Sequence, residues 1–323
     1  MNTLQLNWKN AIRKYGTVIV AILVFALFSI LANRFFTVNN VMLLLKQMSM
    51  LTVISLGFTF VMAAGGFDMS VGFATGLCAI FYVKVLLATN NFILPFLAAV
   101  AVGIVIGSIN GLLVSTIGLP DFIGTFAVGS VVYGIKMMMT EGNPIYVKGI
   151  EGPAIDLFKG INSGMLFGVI PVMVIIMVVM IGIAYILMER TKLGRRIYAI
   201  GGNKEAALFS GINVKFYKFT AYVISGLAVA FTAVMVSSRL NSAQPTSGEG
   251  YLMQAISAVY LSTTMFGEGQ PTILGTVVGA FIISMLSNGL TMLGMTYYFQ
   301  DITIGLVVIL AVLMSVVMTK KGK

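Results

Sequence analysis

Long apolar stretches alternate with short polar breaks from residue 17 to the C-terminal lysines. A helix needs about 20 apolar residues to cross the hydrocarbon core of a bilayer. The pattern predicts ten such spans, over 17–32, 42–64, 69–88, 92–116, 122–139, 165–188, 219–238, 252–266, 271–293 and 302–318. The eighth is close to the lower length limit of about 17 residues, which predicts a tilted or partly helical segment. Between the second and third spans, Gly65-Gly66-Phe67-Asp68-Met69-Ser70-Val71-Gly72 breaks the helix. The longest polar connection covers 140–164, and a second, with Gly and Pro, covers 239–250. The expected fold is an all-α polytopic membrane protein of about ten transmembrane helices, one integral domain over residues 1–323.

Composition agrees with that pattern. The chain is 59% hydrophobic and only 9% charged, with a mean hydropathy of +1.01; soluble domains carry about 25% charged residues. The net charge of +10 is not spread evenly, because 13 of the 20 Lys and Arg fall in 9–14, 190–218 and 320–323. Basic clusters beside apolar spans mark the cytoplasmic side of a membrane. An even number of spans places all three clusters and both termini there. The charge therefore reads as topology, not as a nucleic-acid footprint. Residues 1–16, with Trp8, Lys9, Arg13 and Lys14, read as an amphipathic anchor on that face. The apolar run that follows is too long for a cleavable signal and lacks a small-residue cleavage site.

The 189–218 loop is the polar centre of the chain. It holds seven basic residues, Arg190, Lys192, Arg195, Arg196, Lys204, Lys215 and Lys218. Within it, Gly201-Gly202-Asn203 predicts a turn and a helix N-cap. Glu205 to Ser210 predicts a short helix closed by Gly211. Small Ala206 and Ala207 let a partner's surface come close. A loop that only fixed topology would not need a short apolar helix, so this one is read as a docking element.

An internal repeat flanks the loop. Phe58-Thr59-Phe60-Val61-Met62 resembles Phe231-Thr232-Ala233-Val234-Met235; Val102-Gly103 resembles Val278-Gly279. Asn110-Gly111-Leu112 resembles Asn288-Gly289-Leu290, and Asp121-Phe122-Ile123-Gly124 resembles Asp301-Ile302-Thr303-Ile304-Gly305. The offsets drift smoothly from 173 to 180 residues. Spans two to five would thus repeat as spans seven to ten, in inverted orientation. Inverted repeats with broken helices are a common transporter design, with the pathway at the repeat interface.

Few residues can carry chemistry. A carboxylate in the bilayer core is costly unless paired or wet, which singles out Asp68. It either caps the third span together with Ser70 or lines the pathway. Its counterpart in the second half falls near Asn241-Ser242-Ala243-Gln244-Pro245-Thr246, where amides suit a hydroxyl-rich solute. Asn110 and Asn288 stand at helix ends, as caps or ligands. Asp68, Phe67, Asn110, Gln244 and Asn288 form the candidate pathway set. Gly275 and Gly279 offer a small face for close helix packing. The chain has no His, so no imidazole base. It has no metal-ligand spacing, cofactor motif or phosphate-binding loop. One cysteine, Cys78, excludes an intramolecular disulfide and reads as packing. No catalytic residue, metal or cofactor is expected. If transport is driven by ATP, another polypeptide must hydrolyse it.

Three of these stretches resemble one family. Residues 65–72 resemble the Gly-Gly-Ile-Asp-Leu-Ser-Val-Gly motif of the ribose-type permeases of ATP-binding-cassette importers. Residues 191–203, with Glu205-Ala206-Ala207 and Ser210-Gly211-Ile212, are similar to their cytoplasmic coupling loop. Ser242-Ala243-Gln244-Pro245-Thr246 with Gly248 and Gly250-Tyr251 is similar to a third motif. The resemblance runs from about residue 40 to the C-terminus. It implies a ten-span permease of the bacterial cytoplasmic (inner) membrane, working as a homo- or heterodimer with a second permease subunit. It also implies a cytoplasmic ATPase subunit, an extracytoplasmic solute-binding protein and sugar substrates. Gly201, Gly202, Asn203, Glu205, Ala206, Ala207 and Gly211 would then enter a groove on the ATPase. One stretch departs from the family: Leu261-Ser262-Thr263-Thr264-Met265-Phe266-Gly267-Glu268-Gly269 replaces a Gly-Gly-Thr-Ser run. The alternative reading is an ion-coupled secondary transporter with an inverted repeat, which would use Asp68 as its mid-membrane carboxylate.

Overall fold

A computed structural model describes residues 21–147, 151–264 and 269–320. The anchor predicted over 1–16 and the centre of the 261–269 departure lie outside them. Helices dominate: α1 (Ala21–Leu31), α2 (Val38–Ala63), α3 (Val71–Thr89), α4 (Ile93–Gly111), α5 (Asp121–Thr140), α6 (Pro153–Ser163) and α7 (Val172–Tyr185). Then come α8 (Lys192–Gly202), α9 (Lys204–Phe209), α10 (Val214–Leu240), α11 (Glu249–Thr263), α12 (Ile273–Met292) and α13 (Tyr297–Lys320). α4 and α7 each continue into a π-helical turn, Leu112–Ile117 and Ile186–Arg190. Among the described residues, seven helices are long and apolar enough to cross a membrane: α2, α3, α4, α5, α7, α10 and α12.

Three elements differ from the hydropathy pattern. The 140–164 connection contains α6, opened by Pro153 and burying Ala154, Ile155, Phe158 and Ile161 on one face. Its apolar stripe is narrow, and polar residues on the other face hid it from a reading based on apolar runs. Residues 165–171 do not begin the sixth span. They form a hairpin, β2 (Met165–Leu166) with β3 (Ile170–Pro171), turning at Gly168 with φ +71°. The helix starts only after Pro171, a residue suited to the edge of a helix and not to its interior. The 190–218 segment is mostly helical, because α8 precedes the short helix that was expected. Thr191 caps α8, and Ile197 and Ile200 are buried beneath it while Arg195 and Arg196 face outward.

α2 and α10 form the centre. Residues 48–61 of α2 are buried without interruption, so this helix is enclosed by protein on every side. α4 packs on α10 as α12 packs on α2, and α3 lies on α4 as α11 lies on α12. Backbones touch where glycines meet: a Cβ on Gly226 would stand 2.1 Å from the Gly103 carbonyl oxygen. The predicted small face of α12 is used in the same way, with Gly279 against the Ala258 carbonyl and Gly275 against Ser262. Large apolar residues on α5, α7 and α13, among them Phe122, Val178 and Leu310, remain exposed. An apolar exterior is what a lipid-facing surface requires.

α5 and α10 start at the face that carries α8 and α9, where Lys218 Nζ lies 2.8 Å from the Asp121 carboxylate. Both end at the opposite face, where β1 (Ile145–Tyr146) pairs antiparallel with β4 (Ser242–Ala243). From there the chain turns back along α3. The Pro245 carbonyl lies over Gly76 and the Gly248 carbonyl over Gly72. α11 therefore begins inside the molecule, beside the first turn of α3, which accounts for the short eighth span.

Candidate functional site

The break between α2 and α3 is an organised polar lattice. α2 ends at Ala63, and Gly65 takes φ +68° to turn the chain back. Asp68 then sits level with Ser225 of α10, which itself faces Gly57. Gly57 is six residues before the end of α2, about 9 Å at the helical rise. The break has therefore re-entered the protein by roughly that depth.

Asp68 is 2% exposed, and neutral donors surround it. Its Oδ1 accepts from the Ser70 amide at 3.0 Å, the Ser70 hydroxyl at 2.7 Å and Asn110 Nδ2 at 3.4 Å. Its Oδ2 accepts from the Ser225 hydroxyl at 3.0 Å. Asn110 Nδ2 also donates to Ser70 Oγ at 2.7 Å. Among the described residues no cation pairs with Asp68. Hydrogen bonds from several neutral donors satisfy the buried carboxyl group without a counter-ion. The lattice joins three helices, α3, α4 and α10, at one atom group.

Further hydrogen bonds hold the Phe67 backbone. Its amide donates to Asp121 Oδ2 at 3.2 Å, and its carbonyl accepts from the Tyr222 hydroxyl at 3.0 Å. Tyr222 also reaches Asp121 at 3.1 Å, and the Met69 amide donates to Thr125 Oγ1 at 2.9 Å. The Phe67 ring packs edge-on against Phe58. Sequence reasoning brought together Asp68, Phe67 and Asn110 but missed Ser225, Tyr222, Thr125 and Lys218. Asp121 stood in the repeat, and its place just before a predicted span was the available signal.

The other two candidate pathway residues lie elsewhere. Asn288 exchanges two 3.0 Å hydrogen bonds with Asn40, fastening α12 to the start of α2. Gln244 is half-buried in the re-entrant stretch, and its carbonyl accepts from the amide and hydroxyl of Ser247. Below it lies a pair that the sequence did not reveal: Lys136 of α5, 0% exposed, bonds Glu249 at the start of α11 at 2.8 Å. The ammonium lies between the Phe73 and Tyr133 rings, about 5 Å from each centroid. One buried lysine in an apolar helix is itself a signal, because it demands a partner.

The basic segment divides into two parts. Asn203 caps α9 by accepting from the Ala206 amide at 2.9 Å, and Gly211 with φ +76° ends it, as predicted. Glu205, Ala206, Leu208 and Phe209 face outward, with Phe209 89% exposed, whereas Ala207 is buried. Gly201 and Gly202 are not a free turn but the end of α8. A Cβ on Gly201 would stand 1.9 Å from the Ala63 carbonyl oxygen, so α8 is seated directly on the end of α2. The Gln270 amide reaches the Tyr198 carbonyl at 3.5 Å and so ties α8 to the approach of α12.

A helical membrane body, an outward-facing short helix mounted on a broken span, and hydrogen-bonded polar side chains gathered beside the break fit a transport permease. The chain belongs to the family described as branched-chain amino acid transport system permease components, whose model matches residues 40–314. It is 36% identical to the ribose import permease protein of Escherichia coli K12 over 299 residues, 93% of this chain and 92% of that one. It is also 36% identical to the ribose import permease protein of Bacillus subtilis, over 96% of this chain and 95% of the relative. The D-allose transport system permease protein of E. coli K12 is 34% identical over 95% and 93% of the two chains. No solved structure matches it. The protein is a multi-pass protein of the inner membrane, and its family is a transport component, not itself catalytic.

Proposed function

We propose that this chain is the permease subunit of an ATP-driven importer for a sugar, with ATP hydrolysed by a separate cytoplasmic subunit and solute delivered by an extracytoplasmic binding protein. The sugar class follows the names of its relatives. Ten spans form two inverted halves, both termini lie in the cytoplasm, and a second permease subunit completes the complex. The matched packing of α4 on α10 and α12 on α2 supports the repeat. So does the meeting of the two breaks, 64–70 and 241–248, at Gly72 and Gly248.

The observation that carries the coupling is the mounting of α9. Its outer face offers Leu208 and Phe209 to a partner, and the adjoining α8 rests on the end of α2. Displacement of α9 by an ATPase would pass through Gly201 to Ala63 and from there to the Asp68 lattice. The ion-coupled alternative needs a carboxylate with room for a cation. Four hydrogen bonds from neutral protein groups already reach the Asp68 carboxyl group, which favours the importer.

Gentle solubilisation of tagged protein, followed by mass spectrometry of what copurifies, tests this reading. Wild type should bring down an ATPase. Phe209→Ser and Glu205→Arg should each lose it by tenfold or more while remaining folded and monodisperse. A folded wild-type sample that recovers no ATPase, together with uptake in ATP-depleted vesicles, would replace the importer with the ion-coupled transporter.

A further inference from the structure

A polar cavity of about 290 Å³ opens between α2, α10, α11, α12 and α13, apart from the Asp68 lattice. In a chain this apolar, its wall is unusual. Gln47 comes from α2, Arg239 from α10, Tyr251 and Gln254 from α11, and Ser284 and Ser287 from α12. Residues 284 and 287, like 251 and 254, are three apart and share a helix face. Among the described residues, the side chains of Gln47, Gln254, Ser284 and Ser287 have no protein hydrogen-bond partner, although Ser284 is buried and both glutamines are half-buried. Among the described residues, Arg239 has the Tyr251 hydroxyl beside it and no ion pair, and no carboxylate lines the cavity.

Those groups need a hydrogen-bonding occupant, since polar atoms turned away from protein in such a setting must be satisfied by water or ligand. The volume holds about ten waters at roughly 30 Å³ each. A pentose has ten heavy atoms, five of them oxygens: four hydroxyls that both donate and accept, and a ring oxygen that only accepts. Two carboxamides and two hydroxyls match such a solute, and the guanidinium supplies further donors to its oxygens. The single formal charge is positive, so a cationic solute is disfavoured. The position also suits passage. From Thr291, where Gln300 closes the rim with a 3.0 Å hydrogen bond, the wall descends along α12 to Ser284 and to the inner start of α11. That start is anchored by the Lys136–Glu249 ion pair, so a movement of the break would alter the floor of the cavity.

We infer that each protomer carries its own solute-holding site in this cavity, formed within one chain, that takes one neutral monosaccharide and rejects an amino sugar. The inference rests on the permease reading above. It is tested by binding of radiolabelled D-ribose and D-glucosamine to purified protein in nanodiscs, without ATPase or binding protein. Ribose should bind once per protomer, glucosamine at least tenfold more weakly. Gln254→Leu and Gln47→Leu should each lower ribose affinity tenfold or more. To guard against a folding artefact, Ser287→Cys in a Cys78→Ala background should react with a maleimide and be protected by ribose. If wild type binds no ribose, or the leucine variants bind it unchanged, or ribose gives no protection, the site is wrong. Copurification of an ATPase in that case would leave the permease reading standing.

Discussion

At the scale of the residue, Asp68 shows how a carboxyl group is held in an apolar body. Its carboxylate is the shared acceptor for Ser70, Asn110 and Ser225, and no lysine or arginine is needed. Asparagine in its place keeps one oxygen for Ser70 and Asn110. Its amide would donate to Ser225, whose hydroxyl can turn to accept. Asp68→Asn should therefore fold with a thermal midpoint close to wild type and retain uptake. Asp68→Leu leaves the Ser70 amide and the Ser70 and Ser225 hydroxyls without their acceptor, at about 1–3 kcal/mol each, and should lower the midpoint sharply in detergent. A folded Asp68→Asn protein with no uptake would instead assign the carboxylate a role that depends on its charge.

At the scale of the element, the proposed coupling assigns docking to α9 and transmission to α8. α9 offers an apolar surface, and α8 meets the end of α2 in a contact that only a glycine permits. A side chain at 201 would drive into the Ala63 carbonyl, so Gly201→Val must lift α8 from its seat. The expected result is a complex that still copurifies with its ATPase and hydrolyses ATP, but whose uptake falls at least tenfold. Loss of ATPase binding in this variant would place Gly201 on the docking surface instead. The segment 189–218 was read from its charges as one loop with one short helix. The longer α8 escaped because its polar face carries those same charges, and its buried face is only Gly194, Ile197 and Ile200.

At the scale of the whole molecule, the two helix breaks enter from opposite faces and meet at Gly72 and Gly248. The geometry fixes which surface lies opposite α9: the β2–β3 hairpin, whose tip residue Phe167 is 88% exposed. In a Cys78→Ala background, Phe209→Cys should react with a membrane-impermeant maleimide only in inverted vesicles. Phe167→Cys should react only in intact cells. Labelling of both from the same side would overturn the topology and the even span count together.

Some of this was legible in one dimension. Crossing a bilayer demands a run of apolar residues, so the helical membrane class, the long apolar helices and the short helix after Asn203 could be read from order alone. The break at 65–72 was legible because paired glycines interrupt an apolar run. The partners of the buried polar groups were not. Ser225 lies 157 positions from Asp68, and Glu249 lies 113 from Lys136. A buried lysine or aspartate announces that it needs a partner. Which residue comes within 3 Å of it is decided by helix packing. The cavity was hidden for the same reason: its wall gathers residues from five helices, none of them unusual on its own helix. The sequence determined what must lie in the membrane and which face is basic. Tertiary structure decided which polar groups meet there, because hydrogen bonds act over ångströms and chain order does not set those distances.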